Sequence, residues 1–169
     1  MSKQSLLPYR SECSFIVLGK AVPRGSVKAI PRGRDIKEIN GRRYREDKGT
    51  LVIDQDSAVL KSWMQDIKTT AIREWALEHI GYSARPFKID ITFRLDRPKS
   101  HYGSGRNSAI IKDSAPDYPI VRPDLDKLTR SINDALTRIV FKDDSQVVDM
   151  HIKKIYGYPE AIKVKIYEL

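Results

Sequence analysis

The sequence is short of cysteine: Cys13 is the single thiol in 169 residues. That excludes a disulfide within the chain and any cysteine-based zinc cluster. Cys13 stands in the apolar stretch CSFIVLG, where a small buried side chain is expected rather than a reactive thiol. Also missing are an internal repeat, a low-complexity tail and an apolar run of the roughly 18 residues that a membrane span requires. The opening MSKQSLLPYRSE has no apolar core of the signal-peptide kind, so the expected location is the cytoplasm, with no membrane partner. Acids are scarce beside bases, 22 Asp and Glu against 31 Lys and Arg, for a formal net charge of +9. Such an imbalance points to a polyanionic partner and says nothing of the fold.

This length suits one domain with a real core, and residues 1–169 are read as a single unit, with 1–12 as a flexible start. The run CSFIVLG reads as a strand that stops at a glycine. Residues 20–50 then carry ten Lys or Arg against four acids, with prolines and glycines breaking any period. They are expected to form a long basic loop, with a small hairpin around INGRRY. From Asp54 to about Ile80, the positions Val59, Trp63, Ile67, Ala71, Trp75 and Ile80 recur mostly at steps of three or four, predicting one long amphipathic helix. PFKIDITFRL alternates Phe87, Ile89, Ile91, Phe93 and Leu95 against polar neighbours and predicts a strand. Residues 96–123 form a second long polar loop. A shorter helix is predicted from about Asp126, as its N-cap, to Arg138. QVVDMHIKKIYGY and AIKVKIYEL read as two further strands, able to form a hairpin. The fold class is therefore α+β: a mixed sheet of about four strands with one long and one short helix packed on it.

Against the basic background, VRPDLDKLTRSINDALTRIVFKDDSQVV holds five acids, four of them in two close pairs, Asp124 with Asp126 and Asp143 with Asp144; Asp134 between the pairs reads as an ordinary helix-surface acid or a partner for a base. Asp124 and Asp126 flank one residue at a helix entrance, where extended backbone sends alternate side chains the same way. Asp143 and Asp144 follow the helix, and a chain reversal there would bring one of them back. Three carboxylates on element ends suit Mg²⁺, which takes one or two carboxylates and completes its shell with water and phosphate oxygens. Basic loops would hold a phosphate backbone while the ion polarises one phosphate, the logic of metal-assisted phosphodiester hydrolysis. The purely local reading is that Asp126 caps a helix and that Asp143 to Ser145 make a turn.

RPDLDKLTRSINDAL followed by IVFKDDSQVVDMHIKKIYG resembles the RusA family of Holliday junction resolvases, as do VLGKAVPRGSVKAIPRG and RPKSHYG. The resemblance implies a RusA-like fold and a homodimeric, Mg²⁺-dependent endodeoxyribonuclease, with Mn²⁺ as an alternative ion and no small-molecule cofactor. It would nick a four-way DNA junction symmetrically in recombination and repair, in a family common in prophages. The family's three essential aspartates fall on Asp124, Asp126 and Asp144, and Asp143 matches a neighbouring, less critical acid. A family lysine four residues after the second aspartate is replaced by Arg130. Arginine keeps the charge and the proximity to Asp126 but cannot donate a proton, so its expected role is electrostatic, with Lys127 as the alternative proton donor.

Lys20, Arg24, Lys28, Arg32 and Arg34 are candidates for phosphate contacts in the first loop, with Lys127 beside the acids. Lys154 is a further candidate for DNA contact: it would share the core side of its strand with Met150 and Ile152, or else it guards a sheet edge. His79, His101 and His151 are expected in ordinary positions, and Trp63 and Trp75 in the core or a dimer contact. Other readings use the same residues: a nuclease for flaps or forks, a non-catalytic DNA-binding module, or, least fitting, a D-x-D glycosyltransferase.

Overall fold

The computed structural model describes residues 11–25, 28–31, 34–39, 42–47, 50–53 and 58–169. Arg32 lies outside the described residues, and for Lys28 and Arg34 only the backbone is described.

Alternation makes the main sheet. In β6 (Phe87–Leu95) every second residue is buried, so Phe87, Ile89, Ile91, Phe93 and Leu95 face the core. β8 (Ala161–Glu168) runs antiparallel to β6 on one side and to β1 (Ser11–Leu18) on the other, adding Ile162, Val164, Ile166, Cys13, Phe15 and Val17 to the same face. β7 (Val147–Tyr156) pairs with β6 in parallel, giving a mixed sheet in the order β1-β8-β6-β7. The last two strands are therefore not a hairpin: β8 inserts between β1 and β6, hydrogen-bonded along both edges, with Ile162, Val164 and Ile166 turned to the core.

Two helices cover one face. α1 (Ala58–Trp75) buries Leu60, Trp63, Ile67, Ala71 and Trp75, a stripe at steps of three and four that packs against β1. The helix is shorter than its period suggests, because Trp75 turns its indole N–H back to the Gly81 carbonyl at 2.9 Å and Ile80 is left fully exposed. α2 (Leu125–Leu136) packs against α1 and β7 and buries Leu128, Ile132, Ala135 and Leu136. Each such Ile or Leu contributes roughly 1.5–3 kcal/mol by leaving water. Cys13 is buried in this core, which pushes its thiol up to about 11, with Glu74 and Glu78 adding to the effect.

The first basic stretch carries the expected hairpin around INGRRY, and more strand than a loop would. It holds β2 (Lys28–Pro31), β3 (Arg34–Ile39), β4 (Arg42–Asp47) and β5 (Thr50–Ile53), paired as an inner hairpin β3–β4 and an outer pair β2–β5. The second loop is irregular but anchored. The Arg97 guanidinium lies 4.2 Å from the Tyr156 ring and donates to the Pro116 carbonyl at 2.8 Å. At Gly103 a Cβ would stand 2.6 Å from the Asn107 carbonyl oxygen, so only glycine fits that turn. No helix among the described residues is long and apolar enough to cross a membrane.

Candidate metal and nucleic-acid site at the start of the second helix

α2 begins one residue earlier than its sequence suggests. Asp124, in extended backbone, occupies the N-cap position, and Asp126 lies inside the first turn. The expectation that Asp126 caps the helix is corrected: at Asp126 the chain is already helical, and the Asp124 carbonyl accepts the first helical bond, from Leu128 N–H at 3.2 Å. The Asp124 carboxylate makes no capping bond. It turns instead to the Lys127 ammonium, 3.4 Å away. The first backbone N–H groups of α2 therefore have no side-chain cap, and their partial positive charge faces outward. Both carboxylates are exposed.

The approach to Asp124 is fixed from below. Lys154 lies on the helix side of β7 with Met150 and Ile152, and its ammonium donates to the Val121 carbonyl at 3.1 Å and the Pro123 carbonyl at 2.9 Å. The side chain that sequence offered for DNA thus ties down the segment leading into Asp124. From the other side, the segment after β1 lies along α2: Arg24 N–H donates to the Lys127 carbonyl at 3.2 Å, and Ser131 Oγ donates to the Val22 carbonyl at 3.1 Å. The Arg24 guanidinium forms a hydrogen-bonded ion pair with Asp134. Asp134, expected as a helix-surface acid or a partner for a base, is such a partner and fixes this strap to the helix.

Between the strap and the helix start is an open cavity of about 460 Å³, bordered by Lys20, Arg24, Arg122, Asp124 and Lys127. Arg122 was missed at the sequence level, although its place two residues before Asp124 was a signal. Arg130, one turn beyond Asp126, is exposed, with no ion pair or hydrogen bond among the described residues. It stays on the charged side of the helix that carries Asp126.

Asp144 is elsewhere. It opens a short 3₁₀ turn (Asp144–Gln146) that leads directly into Val147 of β7, whereas Pro123 is bound to Lys154 near the far end of that strand. Seven strand residues separate those ends by about 23 Å, and the 12-residue α2 is itself about 18 Å long. Asp124 and Asp126 thus share one end of α2, and Asp144 stands near the other. Among the described residues no group of three acids, histidines or cysteines comes together. Asp143 caps the 3₁₀ turn: its carboxylate accepts from Ser145 N–H at 3.0 Å while the Gln146 amide oxygen accepts from Asp143 N–H. Hydrogen bonds from Ser145, side chain first and backbone second, hold its carboxyl below the usual range. Gln146 also donates to the carbonyls of Ser83 and Arg85, at 3.1 and 2.7 Å, locking this end to the base of β6.

The histidines take local roles. His79 stacks on Trp75 at 3.6 Å, His101 meets the Tyr156 ring edge-on at 5.7 Å, and His151 is exposed 3.4 Å from Asp149.

Comparison with known proteins adds two findings. A family model described as endodeoxyribonuclease RusA matches residues 38–167. An uncharacterized protein of Bacillus subtilis, YqaN, is 33% identical over 87 residues, which is 50% of this chain and 58% of that protein. The chain thus spans little more than half the length of this curated relative.

Proposed function

The chain belongs to the endodeoxyribonuclease RusA family, and from that premise we propose that it is a divalent-metal-dependent endonuclease cutting branched DNA, above all four-way junctions, by paired nicks. One observation carries this reading. Two carboxylates stand at the uncapped start of α2, beside a cavity bordered by Lys20, Arg24, Arg122 and Lys127. Carboxylates and bases at one place are what a cation and a phosphodiester need together.

Asp124 and Asp126 would hold the ion, Mg²⁺ or in its place Mn²⁺, which fits the open, water-completed shell Mg²⁺ prefers. When bound, the ion supplies a Lewis acid for the scissile phosphate. The chain's own groups do the rest. Lys20, Arg122 and Lys127 attract and seat the phosphate backbone, and the free N–H groups of α2 favour a phosphate oxygen. Arg130 offsets equatorial charge as it grows and has no other partner to leave among the described residues. Arg24 is engaged with Asp134 and positions the strap; Lys154 positions Asp124. Asp144 belongs to the same ion in the family pattern, yet it lies in the 3₁₀ turn near the far end of α2 from Asp124 and Asp126. In a homodimer two such sites would be related by a two-fold axis, which matches the two-fold symmetry of a four-way junction.

The test incubates the protein with a synthetic four-way junction, a fork and a linear duplex of one sequence, with Mg²⁺ and with EDTA. Ligatable paired nicks in the junction alone, absent with chelator, are expected. Equal cutting of all three substrates refutes junction selectivity, and cutting in EDTA refutes the metal. Efficient cutting of the fork alone supports the alternative of a nuclease for other branches. Binding without cutting, in Mg²⁺ and Mn²⁺ alike, supports a DNA-binding module.

A further inference from the structure

We infer that a second cavity, walled by Tyr102, Tyr156 and Tyr158, takes an unstacked nucleobase of the DNA held at the start of α2. This rests on the reading of that place as a DNA site under Proposed function. The cavity is open, measures about 480 Å³, and is bordered by Asp96, Arg97, Tyr102, Ile111, Tyr156 and Tyr158. That volume falls within the roughly 300–1,000 Å³ of small-molecule pockets. It shares no lining residue with the cavity at the helix start.

Three pieces of chain build it. β6 ends at Leu95, so Asp96 and Arg97 follow at its end. β7 ends at Tyr156, in register with Leu95, so Tyr156 and Tyr158 come from the neighbouring strand end. The second loop supplies the remaining wall: Tyr102 bridges antiparallel to Ile111, held by Gly103 N–H on the Ile110 carbonyl and Lys112 N–H on the His101 carbonyl, both at 2.9 Å. The Tyr156 ring is fixed between Arg97, itself tied to the Pro116 carbonyl, and the edge-on His101. At the rim Tyr158 is 85% exposed and Ile111 47%, large apolar groups left in water.

The lining selects a base over a phosphate. Aromatic faces stack any nucleobase, because every base has a π-face. An anion would meet the Asp96 carboxylate, which is exposed and has no ion pair among the described residues, while the one cation of the wall already covers Tyr156. Position selects the DNA. Tyr156 follows Lys154 by two residues on the same face of β7, about 7 Å further along, and Lys154 holds the Val121 and Pro123 carbonyls that lead into Asp124. The pocket therefore lies beside the approach to the carboxylates. A base is extruded at least cost where its stacking is already broken. A branch point offers such bases and a linear duplex does not, so the pocket would favour branched DNA.

Two experiments test the inference. In the first, 5-iodouracil replaces single thymines around the branch point of a four-way junction and, as a control, within a linear duplex. Complexes verified by gel shift in EDTA are irradiated, and cross-linked peptides are identified by mass spectrometry. Cross-links to Tyr102 or Tyr158 from the junction and not from the duplex are expected. Absence of both tyrosines from the cross-linked peptides, or equal yields from the two substrates, overturns the inference. In the second, junction affinity is measured against salt for wild type, Tyr158→Ala and Tyr158→Phe, an exposed position that the core does not need. Tyr158→Ala should bind roughly 5- to 100-fold more weakly, and Tyr158→Phe, which keeps the π-face, should bind as wild type does. The slope of log K against log salt should be the same for all three, since no phosphate contact is lost. Wild-type affinity in Tyr158→Ala overturns the pocket alone, and a flattened slope makes Tyr158 a backbone contact and overturns it too. A wild-type protein that binds junction no better than duplex would instead strike the reading under Proposed function.

Discussion

Replacing Lys154 with Met keeps the length and packing of the stem and deletes one ammonium. Two charge-assisted bonds go with it, to the Val121 and Pro123 carbonyls at 3.1 and 2.9 Å. A hydrogen bond to a charged group is worth about 1.5–3 kcal/mol in the interior. The Val121 bond is exposed and the Pro123 bond partly buried, so solvent takes over much of the loss and a total of about 1–2 kcal/mol is expected. For a chain of this size that lowers Tm by roughly 2–8 °C. The larger effect is on function. Lys154 is the tie between these two carbonyls and the sheet, so without it the Asp124 carboxylate loses its fixed position, and misplacement of about 1 Å can cost some 100-fold in rate. Junction affinity, carried by other bases, should hold within a few-fold. The assay is a thermal melt with gel-shift and single-turnover nicking on one preparation. A melt and nicking rate like wild type refute the positioning role; weakened affinity with an unchanged nicking rate would make Lys154 a DNA contact, as its sequence suggested.

Other parts of the molecule carry expectations of their own. Lys20→Ala with Arg122→Ala should weaken junction binding and flatten the slope of log K against log salt by about 0.9 for each phosphate no longer neutralised; an unchanged slope removes these residues from the interface. Ile132→Ala, on the fully buried face of α2, should cost about 2–5 kcal/mol in a urea melt, and a loss below about 1 kcal/mol would refute the packing of α2 on the core. Cys13 has a thiol raised to about 11, so the folded state keeps its proton where the unfolded state loses it. Stability should therefore fall as pH rises from about 9 to about 11, and Cys13→Ala should remove that part of the slope. Fast labelling of the native thiol at pH 8 contradicts its burial. Gln146→Leu removes both bonds to the base of β6 and should lower Tm while leaving junction binding intact.

What could be read from the sequence follows the range of each interaction. β6 and β8 could be read because alternate burial is written residue by residue, and the α1 stripe because a core contact repeats every turn. Strand pairing could not: Ile162, Val164 and Ile166 report that β8 is buried, not that β1 and β6 flank it. In residues 28–53 the hairpin around INGRRY was legible and corresponds to β3–β4, while the outer pair β2–β5 was hidden because its strands are short and glycine, proline and lysine outweighed any alternation. At the site, residue types were evident and positions were not. Lys154 and Arg24 looked like DNA contacts because charge alone does not distinguish a phosphate from a carbonyl or Asp134. The separation of Asp144 from Asp124 was within reach, since a 12-residue helix between them fixes about 18 Å. Their closeness in sequence pointed the other way.

If the start of α2 is where a metal and a DNA strand meet, Asp126→Asn is the decisive variant. Asp126 sits in the first turn and not at the cap, so the change should cost the fold only about 0.3–1 kcal/mol through the helix dipole, while removing half of the local carboxylate pair. The variant should bind a four-way junction as wild type does, and Mg²⁺ should no longer produce nicks. Nicking at the wild-type rate would place the chemistry elsewhere in the molecule and overturn the assignment of this site.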